Sequence, residues 1–346
     1  MSNSQVTAAT KVISPEALAN CITGWQKAKG RNDLPWQLHN DPYHVLVSEL
    51  MLQQTQVKTV IPYFERWLQT FPTIEALASA SEDEVMTLWQ GLGYYRRARN
   101  LHAAAQKVVR DYQSEIPRSA AELKEIPGIG PYTVGAIRAF AFDAPAAIVD
   151  GNVKRLFARL FALPYEVNKS TNDRYFWQLA EHFTPARDNR RFAQGLLDLG
   201  ATICKPQQPL CALCPLAKVC QALQLGKVNA LPKRQQKKAI PTRKGHFLLD
   251  VSARGIVLEQ RPASGIWPTL WCLPEVAQAP DAQLWTRFRH TFSHYKLDGH
   301  VWLATPPGNG TTRRIACHQL DEVGLPAPIR KLLQQLIASE VCNQQD

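Results

Sequence analysis

The sequence predicts two domains, an all-α domain followed by a smaller α+β domain. At 346 residues the chain exceeds one typical domain, and its 45% hydrophobic content is enough for two buried cores. Apolar residues recur at helical spacing from about Ser14 to Gln224, whereas apolar and polar residues alternate beyond Gly245. The predicted boundaries are 1–226 for the helical domain, 227–244 for a linker and 245–346 for the α+β domain.

The helical half consists of successive amphipathic segments, in which apolar residues lie three or four positions apart. Pro131 suits the first turn of one segment, and Asp150 can cap another. In chain order the predicted helices are Pro15–Lys27, Tyr43–Thr70, Ile74–Ala80, Glu82–Gly91, Ala98–Tyr112, Ala120–Glu125, Tyr132–Ala141, Val153–Phe161, Thr171–Phe183 and Arg190–Cys204.

A basic stretch follows the helical half. Residues 227–244 contain seven Lys or Arg, no acidic residue, and two prolines, which predicts an extended, solvated linker. Beyond it, the alternation in His246–Gln260 and Arg289–Ala304 predicts strands, and Pro328–Val341 predicts a final helix. The second domain is therefore expected to be α+β.

The overall charge points to a polyanionic partner. Forty Lys and Arg against 29 Asp and Glu give a net charge of +11 and a pI near 9.3, which favours nucleic acid over a membrane surface. No apolar run is long enough to span a bilayer, and the N-terminus lacks a signal-peptide core. We therefore expect a soluble, cytoplasmic protein that associates with the nucleoid and has no membrane partner.

Four cysteines are clustered late in the helical half, at Cys204, Cys211, Cys214 and Cys220. Their spacing, C-x6-C-x2-C-x5-C, is interrupted by prolines, and it favours a single 4Fe–4S cluster over the alternative of a structural zinc site. The other cysteines are scattered singly, at Cys21, Cys272, Cys317 and Cys342. Such scatter argues against a disulfide framework and indicates a reducing compartment.

The segment Ile126–Thr133, Ile-Pro-Gly-Ile-Gly-Pro-Tyr-Thr, lies between two predicted helices. Gly128 and Gly130 can take positive φ, and Pro131 can begin the next helix. Backbone amides of such a turn can hold a phosphate oxygen without reading a base sequence. This is a helix–hairpin–helix signature at about residues 120–141.

Two carboxylates stand out as candidates for chemistry. Glu49 is the only acidic residue between Asp41 and Glu65, and its helical neighbours are mostly apolar, so its pKa should be raised as a general acid requires. The alternative is a solvent-facing Glu on a helix. Asp150 follows the apolar run Ala146–Val149, and it can cap the next helix while leaving one oxygen free.

These motifs together resemble the family of adenine-specific mismatch DNA glycosylases (the MutY family) in the endonuclease III superfamily. The resemblance rests on Ser48–Val57, Gly91–Tyr95, Ile126–Thr133, Val149–Arg155 and the cysteine run. In the C-terminal half, three further segments resemble that family's Nudix-like domain for 8-oxoguanine recognition: Val257–Trp267, Leu270–Glu275 and His290–His294. Nearly the whole chain is covered.

The resemblance implies a base-excision enzyme that flips adenine out of duplex DNA, opposite 8-oxoguanine or guanine, and hydrolyses its glycosidic bond. It implies a monomer with a 4Fe–4S cluster, in which Glu49 protonates the base and Asp150 stabilises the sugar cation. Tyr132 and Asn152 would position sugar and carboxylates. The implied lesion and DNA contacts are Gln53, Gln54, Thr55, Leu92, Tyr94, Gly128, Gly130, Phe292, Ser293 and His294.

The resemblance implies that Tyr94 wedges beside 8-oxoguanine, and the nearby Arg96, Arg97 and Arg99 favour a phosphate-facing surface over simple packing of the turn. The bifunctional lyases of the superfamily carry a Schiff-base Lys where this chain has Tyr132, so strand cleavage should be weak or absent. The second domain lacks the carboxylate box of Nudix hydrolases, so it should bind without hydrolysing. The competing hypothesis is a non-catalytic protein that binds lesions in DNA.

Overall fold

The computed structural model describes residues 3–235, 239–307 and 312–338. Its Cα packing separates two units. The first contains the described residues of Met1–Ala78 and Ala103–Gln236, and the second contains those of Ser79–His102 and Lys237–Asp346. The domain boundaries given above remain a prediction, and the packing adds that Ser79–His102 groups with the C-terminal part of the chain.

The helices of the described residues follow the predicted order closely. They are α1 Asn3–Val12, α2 Pro15–Lys29, α3 Pro42–Leu52, α4 Val57–Thr70, α5 Ile74–Ser79, α6 Glu82–Trp89, α7 Arg96–Tyr112, α8 Ala120–Lys124, α9 Pro131–Phe140, α10 Gly151–Leu160, α11 Asp173–Phe183, α12 Asn189–Asp198, α13 Gln221–Gln224 and α14 Ala327–Ala338. Among the residues described, no helix has both the length and the apolar character that crossing a membrane would require.

Side-chain caps explain where several helices begin. The Ser14 hydroxyl accepts a hydrogen bond from the Ala17 amide, and a carboxylate oxygen of Asp41 accepts from the amides at the start of α3. Ser81 and Glu84 form a reciprocal capping box at the start of α6. Each cap satisfies an amide that the helix itself leaves unpaired.

Two helix predictions are wrong in detail. The predicted helix Tyr43–Thr70 is broken at residues 53–56, because Gln54 takes a left-handed backbone (φ 59°) that ends α3. Helical periodicity continues across this break, which is why it does not appear in the apolar pattern. The predicted helix Arg190–Cys204 ends its α-helical part at Asp198 and continues as a π-turn, Leu199–Ile203. The predicted end at Val341 lies outside the described residues.

The core of the first unit surrounds α10. Val153, Leu156, Phe157 and Leu160 are almost fully buried against side chains from α2, α11 and α12. Burial of such a cluster supplies most of the stabilisation of the helical unit, because isolated helices of this length are marginal in water. The N-terminus of α10 is thereby held in place by the core.

Helix α9 approaches the segment before α10 very closely at Gly135. A Cβ atom at this position would lie only 2.0 Å from the carbonyl oxygen of Ala147. Only glycine permits this approach, which holds α9 beside residues 147–150. The contact therefore sets the distance between the start of α9 and the start of α10.

Among the described residues, the second unit contains two four-stranded sheets. The strands are β1 Thr242–Leu249, β2 Val251–Ser252, β3 Gly255–Gln260, β4 Trp271–Cys272, β5 Glu275–Val276, β6 Gln283–Thr291, β7 Lys296–Leu303 and β8 Thr312–Ile315. One sheet has the order β5-β1-β7-β6, with β1 and β7 parallel. In the other, β3 pairs antiparallel with β2, β4 and β8.

Residues 227–235 belong to the first unit and are mostly exposed, but several of their backbone groups are hydrogen-bonded to it. The Leu231 carbonyl accepts a hydrogen bond from Arg159 Nε at 2.8 Å, and the Lys233 carbonyl accepts from the Val167 amide at 3.0 Å. The Asn168 side chain pairs with both backbone groups of Gln235. Strand β1 begins at Thr242, inside the predicted linker 227–244, so the end of that stretch is part of a sheet.

We predict that Gly135→Ala destabilises the protein by about 2 kcal/mol or more, because the added methyl group must displace the Ala147 carbonyl. Denaturant unfolding of the two proteins would measure the change. Gly24→Ala is the matched control: it lies within α2, and nothing lies within 4 Å of its Cβ position. That change should stabilise slightly, and equal effects at both positions would contradict the packing argument.

Candidate active site

Glu49 lies in the third turn of α3, on a side of the helix that is buried. Its side chain is only 5% exposed, and its neighbours Ser48 and Leu50 are buried as well. Burial, with a smaller contribution from the nearby charge of Asp150, raises the pKa of Glu49 from 4.5 to about 7. The predicted perturbation of this carboxyl is therefore present, and the solvent-facing alternative is wrong.

Tyr132, at the second position of α9, donates a hydrogen bond from its hydroxyl to the Glu49 carboxyl. This bond opposes the effect of burial on Glu49, because it favours the charged form. The pKa of Tyr132 is raised well above 10 by burial and by the charges of Glu49 and Asp150, so its hydroxyl remains a donor.

Asp150 caps α10, as predicted. Its Oδ1 accepts hydrogen bonds from the amides of Asn152 and Val153, both at 2.8 Å. Its Oδ2 is not free, because it accepts from the side-chain amide of Asn152 at 2.8 Å. Burial raises the pKa of Asp150, and the three donors oppose that rise by stabilising the carboxylate. Glu49 and Asp150 therefore have different hydrogen-bond surroundings, yet they lie close enough for the charge of Asp150 to raise the pKa of Glu49.

A buried arginine continues this network toward the cysteine loop. Arg155 donates to the Asn152 side-chain oxygen at 2.8 Å, to the Gly200 carbonyl at 2.6 Å and to the Cys204 carbonyl at 2.7 Å. It is only 5% exposed. The Asn152 amide that holds Asp150 is therefore itself oriented by a charged group anchored to two backbone carbonyls.

A cleft of 330 Å³ opens beside Glu49. Trp36 and Gln194 contribute to its lining, together with Asn32 and Arg191. The Gln194 amide nitrogen donates to Oδ1 of the buried Asp198 at 2.8 Å. Because a carboxylate only accepts, the Gln194 amide group must face Asp198, which leaves its carbonyl oxygen available to the cleft. The lining is mostly polar and includes two aromatic side chains, Trp36 and Phe140, so the cleft offers a planar heterocycle both hydrogen-bonding groups and an apolar surface.

Two groups of predicted contact residues lie on turns of the first unit. Gln53, Gln54 and Thr55 form the turn that ends α3, with Gln54 exposed. In the hairpin before α9, Gly128 has φ 79°, whereas Gly130 has an ordinary φ of −88° and open space around its Cβ position. Of the two glycines able to take positive φ, only Gly128 does so.

The predicted wedge lies on a turn of the second unit. Tyr94 has φ 50° and is 54% exposed, whereas Leu92 is buried. Arg97 points inward and donates to the carbonyls of Leu92 and Gly93, and Arg99 donates to the Pro268 carbonyl. The expectation that all three arginines face phosphates is therefore wrong for these two, since the carbonyls of the turn need internal donors.

The Phe292–His294 turn joins β6 and β7 in the second unit. Ser293 and His294 are exposed, and the Ser293 hydroxyl lies 3.4 Å from Nδ1 of His294. Phe292 is packed between the Trp267 and Tyr295 rings. An aromatic cluster thus supports the turn from below and leaves two polar side chains at its tip.

The four clustered cysteines line one small cavity with apolar walls, which include Leu156 and Leu216: Cys204, Cys211, Cys214 and Cys220. Arg159 donates to Cys204 Sγ at 3.3 Å, and the Leu216 amide donates to Cys214 Sγ. Among the described residues, no three His, Cys, Asp or Glu side chains converge on a single-ion position. Four thiols around one apolar cavity are a donor set that fits a 4Fe–4S cluster, in which each thiolate binds a different iron.

Several residues of the site were not predicted. Arg155 and Arg159 lie on one side of α10 and are buried, although charged residues of an amphipathic helix normally face solvent. Their four-residue spacing beside an apolar stripe is a signal, but it does not reveal the carbonyls that they bind. Gln194 and Trp36 carry no local signal, because only the packing of separate helices brings them to Glu49.

Comparisons with known proteins agree with this geometry. Residues 47–182 match the family described as HhH-GPD superfamily base excision DNA repair protein, and residues 246–335 match the NUDIX domain. A solved structure of a thermostable thymine-DNA glycosylase superposes with a TM-score of 0.57 at 30% identity, covering 63% of this chain and 99% of that one.

A further solved structure, a non-covalent endonuclease III–DNA complex, superposes with a TM-score of 0.51 at 22% identity, covering 62% of this chain and 98% of that chain, and supports the fold alone. The adenine DNA glycosylase of Buchnera aphidicola subsp. Baizongia pistaciae (strain Bp) is 34% identical over 338 residues, which cover 91% of this chain and 95% of that relative. With the coupled carboxyls and the helical fold, these similarities establish that the chain belongs to the adenine DNA glycosylase family of base excision repair enzymes.

Proposed function

We propose that the protein removes adenine paired with 8-oxoguanine or guanine in duplex DNA, by hydrolysis of the glycosidic bond after the base is flipped out. The observation that carries this proposal is the buried Glu49 carboxyl, whose pKa is raised to about 7 beside a second, capped carboxylate. The family membership and the net charge of +11 support duplex DNA as partner. We propose that it acts as a monomer.

Glu49 is the proposed general acid. At neutral pH a large fraction of this carboxyl is protonated, so it can donate a proton to N7 of adenine and make the base a leaving group. Tyr132 holds the carboxyl in one orientation through its hydroxyl. After the base leaves, the ionised Glu49 can take a proton from the attacking water.

Asp150 is the proposed stabiliser of the sugar cation. The three hydrogen bonds from Asn152 and Val153 favour its ionised form, whereas burial without them would favour a neutral acid. A fixed negative charge next to a developing oxocarbenium ion lowers the barrier electrostatically, and brief covalent capture by the same carboxylate is compatible with this geometry. Asn152 then acts by positioning Asp150.

The cleft beside Glu49 is the proposed pocket for the flipped base. The Gln194 carbonyl oxygen, set by the bond of its amide group to Asp198, can accept a hydrogen bond from the exocyclic amine of adenine. A base with a carbonyl group at that position would place two acceptors together, which costs the energy of an unpaired buried polar group. The pocket therefore favours adenine over guanine.

The chain is proposed to lack lyase activity. An imine intermediate needs a nucleophilic amine at the sugar, and the position used by bifunctional relatives is Tyr132. No lysine is found among the described residues that line the cleft. Tyr132 instead donates to Glu49, so the attacking group should be water.

The cysteine cavity is proposed to hold a 4Fe–4S cluster through Cys204, Cys211, Cys214 and Cys220. When bound, such a cluster would cross-link the chain between α12 and α13 and carry a redox-active centre. Arg159 donates to Cys204 Sγ and to the Lys205 and Pro206 carbonyls, so it already orders the first part of this loop.

The second unit is proposed to recognise the oxidised base opposite adenine. The proposed contacts around the mispair are Gln53, Gln54, Thr55 and Leu92. Tyr94 is the proposed wedge. Gly128 and Gly130 form the turn that is proposed to bind a phosphate. In the Nudix-like part, the exposed Ser293 and its neighbours Phe292 and His294 are the proposed readers of 8-oxoguanine.

Replacement of Glu49 by Gln should lower the single-turnover rate of adenine release from an A:8-oxoguanine duplex by about 10³-fold, because it removes the proton donor and keeps the shape. The wild-type rate should fall as pH rises above about 7, since the neutral carboxyl disappears. The variant should lose this dependence.

Glu65→Gln is the control for charge, because this exposed glutamate of α4 lies outside the cleft. It should leave the rate unchanged. A Glu49→Gln variant that releases adenine at nearly the wild-type rate would refute the assignment, and binding without any release by the wild-type protein would favour the non-catalytic alternative.

The purified protein should be brown, absorb near about 410 nm and contain about four irons per chain. Cys211→Ser should reduce both signals, whereas Cys21→Ser, outside the four-cysteine run, should leave them unchanged. Stoichiometric zinc without visible absorbance would contradict the cluster.

Ser293→Ala should reduce the preference for 8-oxoguanine over guanine opposite adenine by about fivefold or more, because a hydrogen bond to the oxidised base is lost. The ratio of excision rates on the two duplexes measures it. Thr291→Ala, two residues earlier in β6 and also exposed, is the control. Deletion of residues 246–346 should likewise reduce discrimination, but it also removes partners of Ser79–His102. An unchanged ratio for Ser293→Ala would exclude this residue as the reader.

A further inference from the structure

Both ends of the turn that carries Tyr94 are bound to one carbonyl group of the C-terminal part of the chain. Gln90 precedes the turn and donates from its side-chain amide to the Leu325 carbonyl at 3.4 Å. Tyr95 follows it and donates from its hydroxyl to the same oxygen at 3.0 Å. Both hydrogen bonds are buried, and both lie within the second unit.

The Leu325 carbonyl is well placed to act as an anchor. Leu325 is 1% exposed and lies between Gly324 and Pro326, just before α14. A buried carbonyl needs a hydrogen-bond donor, and here two side-chain donors come from residues that flank the Tyr94 turn. The turn and the start of α14 are therefore held in one arrangement.

The interior of the turn is also held. Arg97 donates to the carbonyls of Leu92 and Gly93, and the Trp89 indole donates to the Gly93 carbonyl at 3.1 Å. The Tyr94 side chain is 54% exposed, and one side of its ring lies over the Arg97 guanidinium, whose central carbon is 5.5 Å from the ring centroid. An exposed aromatic on a turn stabilised from beneath has the form of a stacking surface for a base.

A second set of contacts joins α6 and α7, the helices before and after the Tyr94 turn, to the Nudix-like part of the chain. Arg99 donates to the Pro268 carbonyl at 2.6 Å and to the Thr269 hydroxyl at 3.1 Å. Thr269 donates in turn to Glu82 at 2.8 Å, although φ of this β-branched residue is 62°. Such a backbone conformation is costly for threonine, and the hydrogen bonds to α6 and α7 help to offset that cost.

We infer that Tyr95 and Gln90 are positioning residues for lesion engagement: through the Leu325 carbonyl they fix the Tyr94 turn to the unit that also carries Phe292–His294. The inference rests on the proposed role of Tyr94 as the wedge. It adds that wedge and reader are set by one packing unit, while Glu49 and Asp150 belong to the other. Loss of the anchor should weaken engagement of the lesion and spare the chemical step.

The test uses the full-length protein under single-turnover conditions with an A:8-oxoguanine duplex, varying enzyme concentration to separate half-saturation from maximal rate. Tyr95→Phe removes only the hydroxyl, so it should raise the half-saturating concentration about fivefold and leave the maximal rate near wild type. Thr87→Val removes a hydrogen bond from α6 to the nearby Glu322 carbonyl without touching the turn, and it should change neither value.

A double-mutant cycle distinguishes positioning from general stability. Tyr94→Ala should by itself raise the half-saturating enzyme concentration. Adding Tyr95→Phe should then raise it little further, because no wedge remains to be positioned. Gln90→Met is the second variant and should behave like Tyr95→Phe. Thermal unfolding of each variant shows whether it is folded at the assay temperature.

The positioning role would be overturned if the effects of Tyr94→Ala and Tyr95→Phe on the half-saturating concentration were fully additive. It would also be overturned if Thr87→Val raised that concentration as much as Tyr95→Phe does. The same holds if Tyr94→Ala weakens engagement while neither Tyr95→Phe nor Gln90→Met does. If Tyr94→Ala leaves half-saturation unchanged, the proposed wedge is wrong, and the inference fails with it.

Discussion

The burial of one carboxyl beside another is the constraint on which the site depends. Glu49 is held in an apolar helix next to Asp150, and the protein compensates the two acids differently. Asp150 receives three hydrogen bonds from the start of α10, whereas Glu49 receives one from Tyr132. The two similar groups therefore have different surroundings, as the proposed division into a general acid and a stabilising carboxylate requires.

This arrangement has a cost in stability. The folded protein holds the Glu49 proton up to about pH 7, whereas an unfolded chain releases it near 4.5. The carboxyl therefore lowers the free energy of unfolding as pH rises across that window. The helical core around α10 must supply the difference. The close approach at Gly135 and the buried network of Arg155 and Arg159 hold the two helix N-termini that carry the site.

The second unit differs from the first in its secondary structure and in the exposure of its proposed functional residues. Its two sheets and their aromatic cluster support exposed turns, and a helical segment from the first half of the chain, Ser79–His102, packs with them. The two units therefore carry different parts of the proposed site. One unit carries the buried carboxyls, and the other carries exposed turns that are proposed to contact the lesion.

Local patterns in the sequence determined the class of both halves, most helix positions, the hairpin glycine Gly128 and the cap at Asp150, and they singled out Glu49 as the solitary acid of its segment. These features depend on neighbours within a few residues, so periodicity and composition reveal them. Tertiary structure alone decided the break at Gln54, the inward direction of Arg97 and Arg155, the pocket residues Trp36 and Gln194, and the packing of Ser79–His102. Arg155, the pocket residues and Ser79–His102 meet groups far away in sequence, and a one-dimensional pattern does not show which of them will meet. Gln54 and Arg97 depend on nearer groups, but on the backbone path of a turn that helical periodicity does not reveal.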